Sequence, residues 1–104
     1  MKSVRVRLTT KLNLSPESPG NLEEFVNEMD CSFKLAPEDG RVTDDEMEHF
    51  EAAPGGAIVV HRVSFELLHG RDCDGAIAEM DYCFSSNTDD VTIVSSEIRD
   101  RELL

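Results

Sequence analysis

The sequence predicts an α+β fold: a tandem β-α-β-β repeat forming one mostly antiparallel sheet, or two facing sheets, with two short helices related by a pseudo-twofold axis. Three observations lead there. The chain matches itself at an offset of 51 residues. Each matched block holds a short amphipathic helical segment, and each helix follows a strand with period-two alternation of apolar residues. A chain of 104 residues with 39% hydrophobic content supplies one core and not two, so units 1–53 and 57–104 are expected to share it as a single domain.

The first strand alternates Val4, Val6, Leu8, Thr10 and Leu12 with Arg5, Arg7, Thr9 and Lys11, the pattern of a sheet with one face on a core and one in water. Its counterpart is Val59, His61, Val63, Phe65 and Leu67, reached after a four-residue difference in loop length. Leu22, Phe25, Val26 and Met29 then stand at i, i+3, i+4 and i+7, as do Cys73, Ala76, Ile77 and Met80; each set lays one apolar stripe on a helix. Asn21 or Ser18 is the expected cap of the first helix and Asp72 of the second, which Gly75 weakens. Short aromatic strands follow at Cys31 to Leu35 and Tyr82 to Ser86, then turns at Pro37-Glu38-Asp39-Gly40 and Asn87-Thr88-Asp89-Asp90, then a longer polar strand. Pro54-Gly55-Gly56 reads as a turn between the units, too short for a linker. A free-standing unit would expose its apolar sheet face and dimerise, and fusion makes that dimer covalent.

At the 51-residue offset, Glu28-Met29-Asp30 meets Glu79-Met80-Asp81, Phe33 meets Phe84, Asp39 meets Asp90, Glu46 meets Glu97 and Glu51 meets Glu102, seven identities in 24 gap-free positions. Chance at average usage gives roughly one or two. The Glu-Met-Asp-x-x-Phe run followed by Glu-x-x-x-x-Glu, seen at Glu79 to Phe84 and Glu97 to Glu102, resembles short uncharacterised proteins of phages and other mobile elements. That resemblance implies a phage or prophage origin and no activity. The first unit departs from it in carrying Met47, Glu48, His49 and Phe50.

The net charge of -12 argues against direct binding of nucleic acid, which rewards cationic neutralisation of phosphates, and favours a protein partner with a basic surface. Residues 12 to 57 hold twelve acids against Lys34 and Arg41, while Lys2, Arg5, Arg7 and Lys11 crowd the first strand. Such a charge also serves solubility alone. Apolar runs are too short for a membrane span, and the alternating N-terminus lacks the apolar region of a secretory signal, so a cytoplasmic location is expected. Cys31, Cys73 and Cys83 are odd in number and without metal spacing, as reduced thiols would be.

No metal or cofactor is expected. His49, His61, His69 and the cysteines include every zinc-ligand type, but His61 aligns with core-facing Val6 and Cys73 with Leu22 on a helix's apolar face. The loop His69 to Asp74 would be an enzyme's site only if His69 or Arg71 activated Cys73. Tyr82 and Phe84 could stack bases, but Phe84 aligns with Phe33 inside the repeat, as a core residue would. The candidate partner-binding residues are Glu23, Glu24, Asp44, Asp45, Glu46 and Glu48, whose carboxylates would stand where phosphates otherwise do. Asp44, Glu46 and Glu48 are expected on one strand face, within reach of Arg5, Arg7 and Lys11. The reading is therefore a non-catalytic acidic binding or inhibitor protein acting on a basic host protein, as monomer or homodimer. The alternatives are a small structural or assembly module joined through its sheet edges, and a small enzyme using residues 69–74.

Overall fold

The computed structural model describes residues 1–17 and 19–104. It is mostly antiparallel sheet with two short helices, an α+β arrangement. The elements run β1 (Lys2–Ser15), α1 (Leu22–Glu28), β2 (Asp30–Lys34), β3 (Gly40–Ala53), β4 (Gly56–Leu67), α2 (Cys73–Ala78), β5 (Asp81–Ser85) and β6 (Thr92–Leu103). The four long strands form one sheet in the order β3-β4-β1-β6, and the short β2 and β5 pair as a separate ribbon. The molecule is elongated along the sheet, 46 × 20 × 19 Å.

The alternation in β1 and β4 decides which face is covered. Their register sets Val4 opposite Phe65, Val6 opposite Val63, Leu8 opposite His61, Thr10 opposite Val59 and Leu12 opposite Ala57, and all ten are buried. Phe25 and Val26 of α1, Ala76 and Ile77 of α2, and Phe33 and Phe84 of the ribbon pack with them into one cluster. Both expected helices thus form over their apolar stripes. Asn21 caps α1, its Oδ1 accepting from the Glu24 N–H at 3.0 Å while its Nδ2 donates to the Glu24 carboxylate at 3.3 Å. Asp72 caps α2 through the Gly75 N–H. The alternative cap, Ser18, lies outside the described residues.

The junction between the units is a two-residue hairpin turn, Pro54-Gly55, with Ala53 paired to Gly56. Gly55 carries φ +82°, which a side chain would strain, and a Cβ on Gly56 would collide with the Leu12 carbonyl oxygen. The hairpin tip is tied back onto β1, the Leu14 N–H donating to the Gly55 carbonyl at 3.0 Å.

The β2–β5 pairing is symmetric about Ser32 opposite Cys83, two positions 51 residues apart, whereas β3 and β6 do not meet their neighbours at that offset. In the four-stranded sheet Glu46 stands beside Arg62 and Glu102 beside Arg7, whereas Glu97, the offset partner of Glu46, stands beside Lys11. Both closing strands carry bulges. Thr43 is the extra residue between Val42 and Asp44, Arg99 the extra residue between Ile98 and Asp100, and each bulge keeps an apolar neighbour, Val42 or Ile98, turned toward the core.

Candidate functional site

The face of the sheet away from the core is charged. At its centre Arg7 of β1 and Arg62 of β4 are directly opposite, a like-charge pair that by itself destabilises a sheet. The outer strands answer it. Arg62 donates to Glu46 of β3 at 2.9 Å, and Arg7 reaches Glu102 of β6 at 3.4 Å and Glu48 of β3 at 3.3 Å. The result is a row across all four strands, Glu46, Arg62, Arg7, Glu102, with Glu48 brought alongside by its own bulge between Met47 and His49. Hydrogen bonding to Glu48 raises the Arg7 pKa above its usual value.

The structure divides the six candidate acids. Asp44, Glu46 and Glu48 lie on this charged face; of the three expected basic partners, Arg7 pairs with Glu48, while Glu46 pairs with Arg62 of β4. Lys11 is 5% exposed and donates to the Leu12 carbonyl and the Asn13 Oδ1 instead. Asp45 turns to the other face, opposite Val63. Glu23 and Glu24 are exposed on α1, on the covered side of the sheet, with Glu24 engaged in the helix cap. The charged face gains acids that the candidate set did not include, Glu51 on β3 and Glu97 and Asp100 on β6, all exposed. What would have identified Glu97 and Asp100 is strand order, since β6 becomes an outer strand only by pairing with β1.

On the covered side, a cavity of about 330 Å³ opens between the end of α1, the start of β2 and the inner face of β3. Val26, Met29 and Met47 give it apolar walls, and Asn27, Asp30, Cys31, Asp45 and His61 supply its polar groups. His61 is 2% exposed, packed 5.3 Å from the Phe33 ring and 5.8 Å from the Phe84 ring, and its Nδ1 has no hydrogen-bond partner among the described residues. Burial lowers its pKa, with Asp45 opposing the effect. Cys31 is pushed up to about 12 by burial, then by Asp45, Asp30 and Cys83, which keeps the thiol protonated. Comparison with family models, curated proteins and solved structures finds no match to this chain.

Two residues of the loop from His69 to Asp74 make structural ties. Arg71 donates to Asp39, 7% exposed in the first unit's turn, at 2.8 Å, and Asp72 is the α2 cap. Asn87 in the second unit's turn donates to the Glu28 carbonyl at 2.8 Å, satisfying the end of α1. Sequence reasoning missed both ties, because each joins a turn in one half to an element of the other. Among the described residues no three His, Cys, Asp or Glu side chains converge as a metal-holding group, and no helix is long and apolar enough to cross a membrane.

Proposed function

We propose that this protein is a non-catalytic binder of basic protein surfaces, of phage or mobile-element type, acting as an inhibitor at a basic site of a host protein in the reducing cell interior. The observation that carries this reading is where charge is left over. Arg7 and Arg62 at the centre of the sheet, Arg41 on β3 and Arg71 before α2 are each ion-paired inside the fold. The outer strands keep exposed acids outside these ion pairs, Asp44 and Glu51 on β3 and Glu97 and Asp100 on β6. Three strand spacings separate the outer strands, about 14 Å, close to the roughly 12 Å width of a duplex major groove. A partner whose basic groove holds a nucleic acid duplex would meet two acidic rows at comparable separation.

The same reading supports descent from a fused pair. We infer an approximate twofold axis between Arg7 and Arg62, because β1 and β4 pair symmetrically about them, each flanked by a glutamate from the other half's closing strand, Glu102 or Glu46. Bulges and acids on both outer strands disfavour edge-to-edge assembly, which is why the binding reading stands ahead of an assembly module.

The test is capture of a basic protein by the immobilised chain from host-type lysate at low and at physiological salt, then association kinetics with the captured partner. Asp44→Asn, Glu51→Gln, Glu97→Gln and Asp100→Asn combined should lower the on-rate about tenfold while the off-rate changes less. An unchanged on-rate, or concentration-dependent oligomers in place of a partner, would sink the proposal.

A further inference from the structure

We propose that the cavity between α1, β2 and β3 is a binding pocket for an aliphatic primary ammonium, the side chain of a lysine presented by the basic partner. This rests on the reading of the protein as a binder of basic surfaces and specifies where one partner residue inserts. The walls and the polar groups match that ligand in different places. Val26, Met29 and Met47 offer apolar surface to a four-carbon stem, and Asp30 and Asp45 place carboxylates around a cationic head. The cavity, about 330 Å³, is roomy enough for a lysine side chain.

His61 is the second, independent observation. A buried polar atom without a partner is costly in a folded protein, and native structures resolve such cases with a ligand, an ion or water. Here the orphan Nδ1 belongs to a ring that is itself 2% exposed, with aromatic rings of the β2–β5 ribbon packed nearby, and that ring lines the cavity. A neutral imidazole nitrogen can accept a hydrogen bond from an ammonium N–H, where an imidazolium would repel it. The polar groups that line the cavity with it are Asn27 from α1, Asp30 and Cys31 from β2 and Asp45 from β3. None of them carries positive charge. A compact ammonium suits acceptors spread around a cavity better than a planar guanidinium, which favours one carboxylate facing its fork.

The experiment uses the whole chain with labelled histidine and titrates n-butylammonium as the probe, with n-butanol and n-propylguanidinium as controls. The expected result is a saturable shift of the His61 ring nitrogens, half-complete at about 1 mM for so small a ligand. Asp45→Asn, an exposed position whose replacement leaves the core intact, should weaken the probe at least threefold, as should Asp30→Asn. The proposal is overturned by shifts that do not saturate, by equal shifts with n-butanol, by tighter binding of n-propylguanidinium, or by an Asp45→Asn chain that binds unchanged. Because no partner takes part, failure here leaves capture of a basic protein to succeed or fail separately.

Discussion

His61 shows how one buried side chain couples the core to solution conditions. Its folded pKa lies below the ordinary 6.5 because burial disfavours the imidazolium. Above pH 6.5 both folded and unfolded chains hold a neutral ring, and the full stability is present. As pH falls below 6.5 the unfolded chain takes up a proton that the folded chain refuses, so stability drops until the folded pKa is reached, with a slope approaching about 1.4 kcal/mol per pH unit for one proton. Urea unfolding between pH 7 and 5 should display this loss. His61→Leu should flatten the profile over that window; a variant that keeps the parent's slope would assign the loss to other groups. Period-two alternation placed His61 in the core correctly, but its position opposite Leu8 could not disclose the cavity at its edge, which depends on how β2 and β3 approach α1.

At the scale of elements, the four-residue row across the sheet makes a sharper claim than any single ion pair. Arg7 and Arg62 are tolerable neighbours because Glu46, Glu48 and Glu102 flank them. Glu46→Gln with Glu102→Gln should lower the urea midpoint at low salt, with the deficit shrinking as salt screens the exposed arginines. Adding Arg62→Met should recover part of it, and a double variant as stable as its parent would show that the row carries no net stabilisation. The strands themselves were legible: alternation set the covered face of β1 and β4, and the helical stripes and the Asp72 cap were readable from spacing. Register in the closing strands was not. Glu46 and Glu97 matched in sequence but occupy different ladder positions: Glu46 stands beside Arg62 as Glu102 stands beside Arg7, and the same displacement is already present ahead of the bulges at Thr43 and Arg99, where Gly40 stands beside Leu67 and Ser96 beside Leu12. A gap-free alignment of two strands cannot show which residues of their neighbours they meet. The candidate acids were likewise split by geometry: Asp45 differs from Asp44 by one position and therefore by one face.

At the scale of the molecule, the halves are interleaved rather than adjacent. β4 lies between β3 and β1, β1 lies between β4 and β6, and β2 finds its partner in β5, so each of these pairings joins a strand before the Pro54-Gly55 turn to one after it. Separate fragments 1–54 and 55–104 should each lack the β-sheet circular dichroism of the whole and regain it on mixing in equal amounts. A fragment with native-like signal alone would mean that a half can form its own core.

Interleaving also dictates the order in which the chain can come together. The register of β1 with β4 joins Lys2 to Leu67, and that with β6 joins Val6 to Leu103, while only the β3–β4 hairpin closes locally. During synthesis β1 therefore emerges about fifty residues ahead of its first neighbour, a long alternating strand with an apolar face and no ladder to join. Such a segment is what sticks nascent chains together, and charges along it act as gatekeepers. Arg5, Arg7 and Lys11 keep that waiting strand soluble before they have anything in the finished sheet to bind. The hairpin, complete as soon as β4 appears, is then the template on which β1 docks, and β6 closes the sheet last.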